Sequence, residues 1–175
     1  SQNANIDQQA RTVTAVDHGK LDLKSLTLYA ILLAAGFVLN LTVSKFFSGL
    51  TGGFLSPEFI IAAFCLEILA IKPNLGQAAV IGLLAGVVIQ ITASVKGPDL
   101  IAEPVAAVVM AALVSAFGNS KAKGMLPLVG TFVVTFISGL IYAVIFSFLI
   151  MKNPAFVGVM APVVAATGVA NAIIV

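Results

Sequence analysis

From Tyr29 onward the chain is a row of apolar segments joined by short connections that carry most of the charges. This pattern constrains the fold more than any other feature. A hydrocarbon layer about 30 Å thick takes roughly 20 helical residues to cross. A helix satisfies its backbone polar groups within its own segment, so it can cross without water. Of the 175 residues, 60% are hydrophobic and 9% are charged, against about 25% charged in soluble domains. A soluble chain of this size leaves too much of itself exposed to hide that apolar surface. The expected fold is an all-α integral membrane protein, a bundle of six transmembrane helices.

The six spans fall near residues 25–46, 57–71, 76–95, 101–117, 126–150 and 155–175. Residues 1–20 form a polar N-terminal tail without periodicity, and residues 21–175 form one membrane domain. Pro57, Pro104 and Pro127 stand near expected helix starts, where a missing amide hydrogen costs little. Pro162 falls inside the last span and is expected to kink it. An even number of spans puts both termini on one side. Arg11, Lys20, Lys24, Lys72, Lys121 and Lys123 share that side, and Lys45, Lys96 and Lys152 take the other. The bias places the termini in the cytoplasm of a bacterial cytoplasmic membrane, with three outward connections at 47–56, 96–100 and 151–154.

Several function classes fall away. A single cysteine, Cys65, allows neither an intramolecular disulfide nor a cysteine metal cluster. A net charge of +2 does not point to nucleic acid. No nucleophile, base and orienting group form a recognisable active site, and His18, the one histidine, lies in the polar tail. The expectation is therefore no enzyme, no metal and no cofactor held by this chain. There is no ATP-binding motif, so any ATP must be used by a partner.

Ionisable groups in or beside the spans carry the functional reading, because a charge in hydrocarbon is costly and tends to face a cavity or a partner. Glu58 and Glu103 stand at the outer starts of spans two and four, with Asp99 just above Glu103 in the loop. The choice for each lies between capping a helix start and taking the ammonium group of a small solute. Lys45 and Lys96 either snorkel to headgroups or hold a substrate carboxylate. Asn40 and Gln90 need hydrogen-bond partners in long apolar helices. Glu67 points away from Glu58 and is expected to meet Lys72 or a partner at the inner surface. Asn171 is expected near the inner end of span six in a structural role. The loop from Phe46 to Glu58 combines three glycines with Phe46, Phe47 and Phe54, and either closes over an amphiphilic ligand or touches lipid headgroups. Ala30 with Ala34, and Gly82 with Gly86, are small-residue pairs that permit close helix packing.

The chain resembles the substrate-binding S components of energy-coupling factor (ECF) transporters over residues 21–175. The segment Tyr29-Ala30-Ile31-Leu32-Leu33-Ala34-Ala35-Gly36 is similar to the small-residue first helix by which those proteins meet their coupling subunit. Leu55-Ser56-Pro57-Glu58-Phe59, Lys72-Pro73-Asn74 and the run from Gly97-Pro98-Asp99 to Ala102-Glu103-Pro104 resemble the tryptophan-transporter-like branch, although Glu58 stands where that branch has Asp. The resemblance implies an S-component bundle that captures an amino acid or vitamin outside. It implies a coupling module of one transmembrane subunit and two ATPases, with Ala30 and Ala34 on the docking face. The substrate-binding residues expected are Asn40, Lys45, Phe47, Phe54, Glu58, Gln90, Lys96 and Glu103. Phe46, Phe47, Phe54 and Phe59 would give an aromatic wall suited to tryptophan, with a vitamin as the broader choice. An ion-coupled secondary transporter, with Glu58, Glu67 or Glu103 carrying protons, and a nontransporting assembly protein are the competing readings.

Overall fold

The computed structural model describes residues 21–53, 55–93 and 95–175. The polar tail expected at residues 1–20, and Phe54, lie outside the described residues. Among the described residues six helices follow one another: α1 (Leu23–Leu50), α2 (Phe59–Ile71), α3 (Leu75–Thr92), α4 (Pro98–Phe117), α5 (Lys121–Ile150) and α6 (Phe156–Ile174). Five are long and apolar enough to cross a membrane, and the sixth, α2, has 13 residues. Large apolar side chains such as Leu23, Ile31, Phe46, Ile91, Leu149 and Ile173 point outward around the bundle. A surface of this kind is stable in lipid rather than water. The protein is a multi-pass, all-α integral membrane protein.

Local chemistry sets the helix ends. Asp22 caps α1 by accepting from the Ser25 backbone amide at 2.8 Å. Asn74 and Gln77 form a reciprocal capping box at the start of α3. Gly97, at φ +112°, turns the chain into Pro98 at the first position of α4. That helix begins three residues before the expected start, so Asp99 lies in its first turn, not in a loop. Pro104 accordingly sits inside the helix. At the other end of the bundle, α2 stops at Lys72 in a left-handed conformation.

Three stretches widen into π-type turns: Asn40–Ser44 in α1, and Leu126–Gly130 and Phe146–Ile150 in α5. The first continues directly into Lys45–Leu50, so residues 47–50 extend α1 and do not belong to a loop. A reversal follows, through Gly52 and Gly53 at φ +65° and +88°, values that favour glycine. Residues 55–58 then run back beside α1. Ser56 Oγ lies 3.1 Å from Ser44 Oγ, and Asn40 meets both Glu58 and the Phe59 amide. Helix α2 therefore starts at the level of Asn40, about 15 Å along α1 from Leu50 at 1.5 Å per residue. Its shortness has this cause: it begins inside the bundle.

The core is sealed by small residues and one tyrosine. Gly82 and Gly86 let α3 lie directly on α4. A Cβ on Gly82 would stand 2.4 Å from the Glu103 carbonyl oxygen, and one on Gly86 would stand 2.8 Å from that of Asp99. The small-residue pair on α3 thus packs within the bundle. Tyr29 of α1 is buried and donates to the Ile81 carbonyl of α3 at 2.6 Å.

Candidate functional site

A cavity of about 490 Å³ lies where the six helices converge, in the half of the bundle that holds the connections at 51–58 and 93–97. Each helix or its entry contributes at the spacing its geometry dictates. Helix α5 presents Thr135, Ser138, Gly139 and Tyr142, and α6 presents Met160, Val163, Val164 and Thr167. Both sets follow i, i+3, i+4, i+7, one face of a helix. Helix α4 supplies Asp99 and Glu103, one turn apart, and α3 supplies Ile89, Thr92 and Ala93. The widened turn of α1 brings Asn40, Ser44 and Lys45 to the same wall. Single wide turns of this kind often mark functional positions. The returning segment adds Ser56, Glu58, Ile60 and Ile61.

Three carboxylates face this space, and each is steadied by a neutral donor from a different helix. Asn40 Nδ2 donates to Glu58 Oε1. Gln90 Nε2 approaches Asp99 Oδ2 at 3.4 Å. Ser138 Oγ donates to Glu103 Oε1 at 2.8 Å. Glu103 is 1% exposed, and its second oxygen, Oε2, has no hydrogen-bond partner among the described residues. Among the described residues the one basic side chain on the wall is Lys45, exposed at the rim. Glu103, Asp99 and Glu58 are close enough to act on one another electrostatically.

The internal start of α2 is held by two asparagines from other helices. Asn171 Oδ1 accepts from the Glu58 amide at 2.8 Å, and Asn40 Oδ1 accepts from the Phe59 amide at 2.7 Å. Asn171 also donates through Nδ2 to Thr135 Oγ1 at 3.2 Å. Two amides of the first turn, which have no partner within the helix, are thereby satisfied by side chains.

Of the residues expected to bind substrate, Asn40, Lys45, Glu58 and Glu103 line the cavity. Gln90 and Lys96 do not. Gln90 Oε1 accepts from the Gly97 amide at 2.9 Å, and Lys96 Nζ donates to the Gln90 carbonyl, so both close the connection between α3 and α4. Phe47 also stands apart. It packs edge-on against Phe46 on the exposed side of α1, and neither of them nor Phe59 reaches the cavity. Among the described residues, Tyr142 is the aromatic residue on the wall. Ala30 and Ala34 are exposed on α1.

Asn171 stands three residues before the end of α6, in the structural role expected of it, and it meets Glu58, which the sequence reading puts at the outer start of span two. The two meet because α2 starts deep in the bundle. Glu67 makes no ion pair with Lys72 among the described residues, and it lies close enough to Asp22, at the start of α1, for the two charges to act on each other. It is fully buried, and neither carboxylate oxygen has a hydrogen-bond partner among the described residues. The hydroxyls of Thr135, Ser138, Tyr142 and Thr167 do not figure among the residues expected from the sequence, yet their helical spacing was a usable signal.

Comparisons with protein-family models, with curated proteins and with solved structures find no match to this chain. Fold and site together define a multi-pass membrane protein of transport-like architecture, with an open cavity of mixed polar and apolar lining inside an apolar bundle.

Proposed function

We propose that this protein is the solute-binding component of a membrane transporter, of the kind the S components of ECF systems represent. It captures a small solute from outside the cell in the cavity between its six helices. A coupling module of one transmembrane subunit and two ATPases then drives delivery to the cytoplasm. The observation that carries this reading is a cavity of about 490 Å³, lined by both acidic and aliphatic side chains and walled by every helix of a bundle whose outer surface is apolar. Its size lies within the range of small-molecule sites and suits an amino acid or a vitamin. Asn40, Lys45, Glu58 and Glu103 are the contacts assigned to the solute, and Ala30 and Ala34 the face that meets the coupling subunit. The chain itself carries out no chemistry and holds no cofactor. Both termini lie in the cytoplasm, in keeping with the distribution of Lys and Arg.

An ion-coupled transporter is the second reading. Glu103 favours it, because a buried carboxylate oxygen without a partner is a place for a coupling proton. One experiment separates the two. The chain is reconstituted in proteoliposomes alone, and separately with the ATPases and membrane subunit that copurify with it. Uptake of the copurifying solute, identified by mass spectrometry, is then followed with ATP or with an ion gradient. Uptake that needs both the partners and ATP is the expected result. Full uptake by the chain alone on a gradient overturns the coupling-module reading.

A further inference from the structure

We propose that the solute carries an amino group, and that it is seated as an ammonium ion between Glu103 on the cavity floor and the nearby carboxylates of Glu58 and Asp99. The inference rests on the solute-capture reading of the cavity and names the chemical class that the cavity selects.

The first support is charge. Among the described residues three carboxylates share the cavity, and Lys45 at the rim is the one basic side chain on its wall. Among the described residues none of the three acids is ion-paired. The groups that steady them, Asn40, Gln90 and Ser138, are neutral. A neutral donor orients a carboxylate without cancelling its charge. In their ionised form these acids give the cavity a surplus of negative charge that an entering cation offsets, in surroundings where charge interactions are stronger than in water.

The second support is an unfilled hydrogen-bonding position. Ser138 occupies Glu103 Oε1 and so fixes the carboxylate plane, while Oε2 remains buried without a donor. An acceptor left in that state costs free energy unless a donor arrives. An ammonium group brings three donors on one compact charge. A solute that lacks an amino group leaves the acceptors unfilled and adds nothing to balance the charge. The rest of the solute meets Ile89, Met160, Val163 and Val164, an aliphatic wall, and a carboxylate on the solute would point back to Lys45 at the rim. Small amino acids and amine-bearing vitamins meet these conditions. Carboxylic acids without an amino group do not.

The test uses the purified full chain in detergent and matched probes: L-tryptophan, tryptamine and 3-indolepropionate, then pyridoxamine and pyridoxine, then biotin. Thermal stabilisation screens the set, and calorimetry gives Kd for each binder. At least one amine is expected to bind, about tenfold or more tighter than its partner without the amino group. Glu103→Gln should weaken that amine by about 30-fold, the scale of removing one member of a buried charged pair. The unmutated panel is decisive even if Glu103→Gln fails to fold. The inference is overturned if a probe without an amino group binds as tightly as its amine partner, or if no amine binds. A folded Glu103→Gln protein that keeps wild-type affinity overturns it as well. Binding by biotin or pyridoxine alone would leave the solute-capture reading standing and remove the ammonium site. Silence from every probe, together with no copurifying solute, would remove both.

Discussion

Helix α4 has two faces that differ in every respect except the residues they share. On the side of α3 its backbone is in contact with glycine, and there is no room for one methyl group at Gly82. On the opposite side the carboxylates of Asp99 and Glu103 open on a cavity of about 490 Å³. Glu103 belongs to both, since its carbonyl oxygen faces Gly82 and its side chain faces the cavity. The tight face fixes the position of the acids, and the open face lets them bind. A seam without voids is what allows a polar space beside it to keep its shape.

The comparison breaks most severely at Gly82. A Cβ there would meet the Glu103 carbonyl oxygen at 2.4 Å and the Pro104 Cα at 2.6 Å, both backbone atoms that cannot rotate away. Gly82→Ala is expected to cost about 3 kcal/mol, read as a fall in melting temperature in detergent and a loss of monodisperse protein. Gly158, on the outside of α6, has nothing within 4 Å of its Cβ position. Gly158→Ala should therefore be neutral or slightly stabilising, as a helical Gly→Ala change usually is. Equal behaviour of the two variants would mean that the seam between α3 and α4 is not closely packed.

A smaller effect is expected on the cavity side, at Asn171. This residue is fully buried and bridges the Glu58 amide and Thr135. Asn171→Ala removes a helix cap and an interhelical hydrogen bond, a loss of about 1–2 kcal/mol. The same change frees the start of α2 and with it Glu58. Solute affinity should fall along with the melting temperature. Lower stability with unchanged affinity would show that the start of α2 does not position a binding group.

Five of the six expected spans were legible in the sequence because each apolar run reports its own environment; the expected second span is instead a 13-residue helix, too short to cross by itself. The seam was legible for a similar reason: Gly82 and Gly86 are four apart, so they share a face whatever lies opposite. The level of Glu58 was not legible. It depends on a backbone reversal at Gly52 and Gly53 that carries residues 55–58 back along α1, and apolar patterning says nothing about that path. Placing Glu58 by the count of loop residues puts it at the membrane surface, whereas Asn40 and Asn171 hold it inside. Phe47 shows the converse error. An aromatic residue beside a cavity invites a role in binding, but the extension of α1 through Leu50 turns it outward. The widened turn at Asn40–Ser44 also shifts the register of α1, which a regular 3.6-residue period does not foresee.

The smallest effect is expected at Glu67, and it sharpens what separates a site from a buried charge. Glu67 and Glu103 are both buried acids with an oxygen that lacks a partner among the described residues. Glu103 opens on the cavity, and Glu67 is not among the residues that line it. A carboxyl group closed in without hydrogen bonds is a cost to the fold, and an apolar side chain of similar volume removes that cost. Glu67→Met should therefore leave the melting temperature unchanged or raise it, by an amount equivalent to about 1 kcal/mol. Solute affinity should not move, because the residue lies nine positions beyond Glu58 on α2, about 13 Å along its axis. Thermal melting with and without a bound amine, compared with Glu103→Gln, measures both quantities. A clear loss of stability would mean that Glu67 has a partner in the folded protein. A loss of affinity or uptake at unchanged stability would extend the functional acids beyond the cavity, and would favour a route for protons along α2 over capture of a solute cation alone.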